Sequence, residues 1–187
     1  MESDPWPKTI MQPFDMLPSR ALPTDYFGPY NKLLYHLFPA DTNFLVSPGV
    51  YPPRPAAAEP AVEFTVFYNE MPVLLLQIKA PETLRWPSAR EQADIENRQR
   101  LRDLIPLCAL PKLYAVSAFG TKLRFYAAVA GEGIDPVASP SYAGSFTDTV
   151  PLNRWNSDVL EEEGANLLKQ SVAEIIARIY LNDGAYP

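Results

Sequence analysis

The stretch Val73-Leu74-Leu75-Leu76-Gln77-Ile78-Lys79-Ala80-Pro81 (VLLLQIKAP) decides the fold. Its apolar run reads as a buried strand that ends at Pro81. Gln77 and Lys79 are two residues apart, so their side chains leave one face, roughly 7 Å from each other along the chain. Two polar side chains on one face of a strand this apolar need partners or water.

The preceding apolar segment, Ala61 to Tyr68 (AVEFTVFY), supplies the neighbouring strand, with Asn69-Glu70-Met71 as the connection. A three-residue loop pairs Tyr68 with Pro72 and sets Glu63 directly opposite Gln77. A loop one residue shorter or longer would turn Glu63 to the other face, because a slip of one residue exchanges faces. In the favourable register Glu63, Gln77 and Lys79 form one polar cluster. Burying it without partners would cost several kcal/mol, which places it in a cleft or at the open end of the sheet. Phe64, Val66, Leu74 and Leu76 on one side and Phe67, Val73 and Leu75 on the other make both faces apolar, so the sheet is expected to be covered twice.

Outward from the hairpin, residues 1–24 carry five prolines and read as an extended N-terminal arm. Trp6, Ile10, Met11, Phe14 and Met16 are expected to pack it on a single domain, residues 25–187. A helix from Asp25 to Phe38 with a stripe of Tyr26, Tyr30, Leu33, Leu34 and Leu37 ends at Pro39. Asn43 to Val50 is a strand, followed by the loop PPRPAAAEP. After Pro87, Ser88-Ala89-Arg90-Glu91 has capping-box spacing and opens a charged helix to about Leu107. Lys112–Phe119 and Lys122–Val129 form a second hairpin turning at Gly120-Thr121. Residues 130–156 read as a long loop anchored by Trp155, and Ser157–Leu181 as a helix broken at Gly164. The order helix, three strands, helix, two strands, loop, helix predicts an α/β fold with a mixed central sheet, helices on both faces and an extra C-terminal helix.

Composition limits the function. The 187 residues are 47% hydrophobic and 20% charged, a globular balance. No apolar run approaches the ~20 residues that span a bilayer. The acidic, proline-bearing N-terminus has no apolar signal core, so an intracellular protein, cytoplasmic or nuclear, is expected. Cys108 is the single cysteine, which excludes an internal disulfide and a thiolate metal cluster. A net charge of −6 argues against strong non-specific binding to nucleic acid, while leaving room for a local basic patch. His36 is the single histidine and is expected to be packed or exposed, so Ser-His-Asp and Cys-His chemistry fit poorly. Gly131-Glu132-Gly133 lacks the strand–helix frame of a phosphate loop. The aromatics Tyr114, Phe119, Phe125 and Tyr126 read as core.

A carboxylate, a neighbouring oxygen and a lysine on one strand pair could hold a hard cation that polarises a phosphate and activates water. The element order, the acid at Glu63 and the Gln77-Ile78-Lys79 motif, followed by Arg90, Asp94 and LPKLYAVSAFGTKLRFY, resemble the PD-(D/E)xK nuclease superfamily, and within it an uncharacterised fungal branch. The resemblance covers roughly Tyr26 to Val129 and implies an αβββαβ restriction-endonuclease-like core. It further implies a Mg²⁺-dependent nuclease, a hydrolase of phosphodiester bonds in DNA or RNA, with Mn²⁺ as an alternative metal. Glu63, Gln77 and the carbonyl of Ile78 would be metal ligands, Lys79 would support the nucleophile or phosphate, and Arg90 and Gln92 would contact substrate. Two positions depart from the superfamily pattern: Glu63 stands for the usual aspartate, and the neutral Gln77 stands for a carboxylate. The alternative is therefore a nuclease fold with a degenerate site, acting as a binding or regulatory module. Plainer expectations stand beside these: a strand end emerging into solvent at Lys79, a surface acid at Glu63, additional carboxylates from Asp25, Glu91 or Asp94, and a mainly solvated helix face with pairs such as Asp94–Arg98.

Overall fold

A computed structural model describes residues 4–49, 61–138 and 148–182. Val50 and the loop after it lie outside these, as does part of the long segment after Val129. The elements are α1 (Lys8–Asp15), α2 (Phe27–Leu37), β1 (Phe44–Pro48), β2 (Val62–Tyr68), β3 (Met71–Lys79), α3 (Pro87–Leu104), β4 (Lys112–Phe119), β5 (Lys122–Val129), β6 (Gly133–Asp135), β7 (Ser157–Asp158) and α4 (Glu162–Asn182). The strands form one open mixed sheet in the order β1-β2-β3-β4-β5-β6, with β7 also on β5. β3 and β4 are parallel, which requires a crossover, and α3 is that crossover. All other pairs are antiparallel.

The two sheet faces differ in chemistry. Phe64, Val66, Leu74, Leu76, Val116 and Leu123 meet Tyr30, Leu33 and Leu34 of α2, Ile10 and Phe14 of α1, and Leu168, Val172 and Ile175 of α4 in the larger core. The opposite face meets α3, with Leu75, Leu113, Ala115, Tyr126 and Ala128 against Leu101 and Leu104. A small cluster of Ala89, Ala93, Phe119, Val150 and Trp155 closes the other end of that helix. The fold is thus α/β with a mixed sheet covered on both faces. No helix among the described residues is long and apolar enough to cross a membrane.

The β2–β3 hairpin reaches the expected register by a different route. Its loop has two residues, since Tyr68 pairs with Met71, and both Asn69 (φ 46°) and Glu70 (φ 68°) are left-handed, as a type I′ turn requires. That loop alone would turn Glu63 away. A bulge between Val66 and Phe67 adds the missing step, so Glu63 pairs with Gln77 after all. The bulge also delivers Val73 to the larger core instead of the α3 side.

Other expectations need correction. The arm is not extended throughout: Lys8–Asp15 is helical. Trp6, Ile10 and Phe14 are buried, whereas Met16 is 75% exposed. The Trp6 indole donates to the Val159 carbonyl at 2.6 Å, tying the arm to the approach to α4. Ser88 does not cap α3, whose N-cap is Trp86 without a side-chain cap. The segment after Val129 contains β6 and a helical turn at Leu152–Arg154 before the buried anchor Trp155. Gly164 does not break α4 but permits its start. A Cβ there would lie 2.0 Å from the Asp158 carbonyl oxygen, and Asp158 itself accepts from the Leu160 amide and the Thr121 hydroxyl.

The edge strand β1 is blunted. The Phe44 amide is taken by the Thr42 hydroxyl at 3.3 Å and the Val46 carbonyl is approached by the Tyr35 hydroxyl at 3.5 Å. Pro48 has no amide to offer, so this edge is a poor template for another strand.

Two substitutions test this account by urea unfolding. Gly164→Ala should destabilise by at least ~2 kcal/mol through overpacking against Asp158. Glu70→Gly should stabilise by roughly 0.5–1 kcal/mol, because glycine occupies the left-handed turn position without a Cβ penalty.

Candidate functional site

Cross-strand pairing places Glu63, Gln77, Ser117 and Arg124 in one transverse row across β2, β3, β4 and β5. Lys79 sits one pleat further along β3. The row lies on the α3 side, and the helix seals it. Gln77 is 4% exposed and Lys79 2% exposed, so neither an open cleft nor a solvent-facing strand end describes the site. Ile78 points into the larger core. It pairs with Val62 on one side and Ala118 on the other, which puts its carbonyl inside the sheet ladder and not at a ligand position.

α3 supplies the partners. Ala93, Glu96, Asn97 and Arg100 follow helical spacing and share the stripe completed by Leu101 and Leu104. The Asn97 amide donates to its own helix at the Ala93 carbonyl, 2.9 Å, and to Gln77 Oε1, 3.0 Å. This fixes the orientation of Gln77. Its amide nitrogen then faces both carboxylates, donating to Glu63 Oε1 at 3.1 Å and Glu96 Oε2 at 2.8 Å. The Lys79 ammonium lies 3.0 Å from Glu96 Oε2, Arg100 Nε 3.6 Å from Glu63 Oε2, and the Gln92 amide donates to Glu96 Oε1 at 2.8 Å. Burial would push the Glu96 carboxyl up, but the hydrogen bond from Gln92 and the charge and hydrogen bond of Lys79 outweigh it, leaving that carboxyl below its ordinary range.

A second cluster adjoins the first along the same helix. Asp94 accepts from Arg98 Nε at 2.7 Å and the Tyr126 hydroxyl at 3.0 Å, and faces Arg124 Nη1 at 3.0 Å. Arg98 also donates to the Pro136 carbonyl at 2.7 Å. The Arg124 guanidinium lies over the rings of Tyr126 and Trp155, 4.7 and 5.1 Å from their centroids. Arg90 commits its guanidinium to the Leu84 and Val150 carbonyls and the Asp148 carboxylate. Gln92 is exposed and engaged with Glu96. The expected solvated face is therefore inverted: Arg90, Asp94, Arg98 and Arg100 are buried, while Ile95 is 53% exposed.

The residues that sequence reasoning missed are Glu96, Asn97 and Arg100 on the helix and Ser117 on the sheet. A signal for the helical three was present. The stripe Ala89, Ala93, Leu101, Leu104 passes through Asn97, a poor interior helix residue unless its amide is used.

Whether this donor set fits a divalent cation can be decided from its chemistry. Two carboxylates, Glu63 and Glu96, face two cations, Lys79 and Arg100, so 2 − 2 leaves no surplus negative charge. Each of the four carboxylate oxygens already faces a protein donor. The amide of Gln77 presents hydrogens, not its oxygen, to both acids. Among the described residues, no three His, Cys, Asp or Glu side chains converge as a metal-ligating group. The set does not fit Mg²⁺ or Mn²⁺ as arranged, since hard cations need unengaged oxygens.

The cluster should instead be a pH-sensitive clamp. A carboxyl held below its unfolded value of 4.5 stabilises the fold above that pH and loses its contribution as the pH falls through the folded value. Urea midpoints should decline below about pH 4.5, and Glu96→Gln should shallow that decline. At pH 7 the same variant, leaving the buried Lys79 without this counter-charge, should cost about 3–5 kcal/mol. An unchanged slope below pH 4.5 would argue against the clamp.

Comparison with known proteins gives no match: no family model matches the chain, no curated protein matches it, and no solved structure matches it.

Proposed function

We propose that this chain is a nuclease-like α/β module whose catalytic position has become a metal-free internal clamp, so that it works by binding and not by phosphodiester cleavage. The observation that carries the reading is the Gln77 amide, which donates to Glu63 and Glu96 at once where a cation would otherwise bridge them. Lys79, the residue that would support a nucleophile, is sealed under α3 against Glu96. The superfamily resemblance supplies the fold expectation behind this reading, and the helix–strand order agrees with it.

The competing reading is a Mg²⁺- or Mn²⁺-dependent nuclease acting on DNA or RNA. One observation favours it: Glu96 brings a second carboxylate beside Glu63 and Lys79, as a nuclease site would need. For that reading to hold, the Gln77 amide must turn over and Arg100 must release Glu63.

The two readings separate cleanly. On the clamp reading, millimolar Mg²⁺ or Mn²⁺ leaves the thermal midpoint of the wild-type protein unchanged, because a ligand without affinity for the native state cannot stabilise it. Mixed DNA and RNA substrates stay intact. Gln77→Glu adds a third carboxylate to the balanced set, and its thermal midpoint should rise with either metal. Cleavage by the wild type that disappears in Lys79→Met would establish the nuclease instead.

A further inference from the structure

The polar row ends at Arg124, and there the charge balance fails. One carboxylate, Asp94, faces two buried guanidiniums, Arg98 and Arg124, so 2 − 1 leaves a net positive charge. Arg154 is exposed but close enough to add to it; burial first, and then the charges of Arg98 and Arg154, lower the pKa of Arg124. In a chain of net charge −6, this concentration of cations is out of character. Arg124 is only 7% exposed. Its Nη1 is ion-paired to Asp94 at 3.0 Å, and neither Nη1 nor Nε completes a hydrogen bond among the described residues, so the guanidinium keeps donor capacity.

Arg124 and Arg154 line a groove of about 450 Å³ at the sheet edge, between β5, the Leu152–Arg154 turn and α4. The groove sits at a break in strand pairing. β7 pairs with Lys122 and Leu123, β6 with Ala127 to Val129, and among the described residues no strand opposes Phe125 on that side. The Val159 amide bonds to the Thr121 carbonyl at 2.9 Å. Backbone groups alternate in direction along a strand, so Phe125, four residues after Thr121, also turns its N–H and C=O outward. A donor and an acceptor therefore stand side by side at the groove. Leu123, Phe125, Pro136 and Leu167 give it apolar walls, and Asn153, Asn156, Gln170 and Ser171 give it a polar rim. Glu174 also lines it but is held by Lys112 and Arg178 at 3.3 and 3.0 Å.

We infer that this groove binds a nucleoside monophosphate, with the phosphate on Arg124 and Arg154 and the edge of the base on the backbone N–H and C=O of Phe125. Guanidinium groups suit phosphate, and a paired donor and acceptor suit a base edge. The volume lies in the range of small-ligand sites and is short for a nucleic-acid strand. None of Glu63, Gln77, Lys79 or Glu96 lines it, so this inference stands or falls separately from the clamp.

The test is a titration of the full chain with AMP, GMP, CMP, UMP and inorganic phosphate against ionic-strength-matched chloride, read by thermal midpoint and by intrinsic tryptophan fluorescence. At least one nucleotide should bind at sub-millimolar concentration and more tightly than phosphate. Arg154→Ala should weaken it about tenfold or more, the scale of a lost charge-assisted contact. Leu167→Trp, which fills the groove from the surface of α4, should abolish binding while the unliganded midpoint holds. The inference is overturned if no nucleotide binds beyond chloride, or if phosphate binds equally well. It also fails if both variants bind like wild type, or if only oligonucleotides bind.

Discussion

The structure depends on one constraint: a lysine and a glutamine are buried at the end of the central strand and must be satisfied there. Lys79 and Gln77 lie beneath α3 at 2% and 4% exposure. An ammonium without a counter-charge at such depth would cost several kcal/mol. Everything around it meets that demand. Glu96 supplies the charge, Asn97 orients the amide, Glu63 accepts its second hydrogen and Arg100 balances Glu63. The helix is thereby docked by polar complementarity along its middle, with leucines at one end and alanines at the other.

That constraint explains why a helix so rich in charge packs against a sheet. Ordinarily the apolar stripe of a helix faces inward and its charges face water. On α3 the inward stripe carries Arg90, Asp94, Asn97, Arg98 and Arg100, and Ile95 faces out. The sheet face it meets is correspondingly polar, the row from Glu63 to Arg124. Burying such a row is specific because each partner must be in register, and the β2–β3 bulge sets that register. A bulge-free hairpin with the same two-residue turn would put Glu63 on the larger core and leave Gln77 short of an acceptor.

Much of the architecture was legible in the sequence. β4 and β5 match their expected bounds, and the order of helices and strands follows from alternation, helical spacing and proline stops. Glu63 was legible opposite Gln77 only through two compensating features, since the shorter turn and the bulge cancel. Neither could be read locally: a bulge at Val66/Phe67 is set by packing of both strands, not by their composition. The helical turn in the arm hid behind its prolines, although Pro13 sits inside α1. The partners on α3 were the hardest to see. A charged helix has no sequence mark that says which charges are buried until the opposing sheet is known, and Glu96 and Arg100 gain their roles only from Lys79 and Glu63. Asn97, on the apolar stripe, was the readable exception.

In the proposed clamp, Gln77 holds the place of a cation between Glu63 and Glu96. A crystal of the wild-type protein soaked in Mn²⁺, with data collected at the manganese edge, tests it most directly. With the clamp in place, there is no anomalous peak within coordination distance of Glu63 and Glu96, and density shows the Gln77 amide bridging the two carboxylates. A manganese ion bound by both glutamates, with the amide turned away and Arg100 withdrawn, would contradict it.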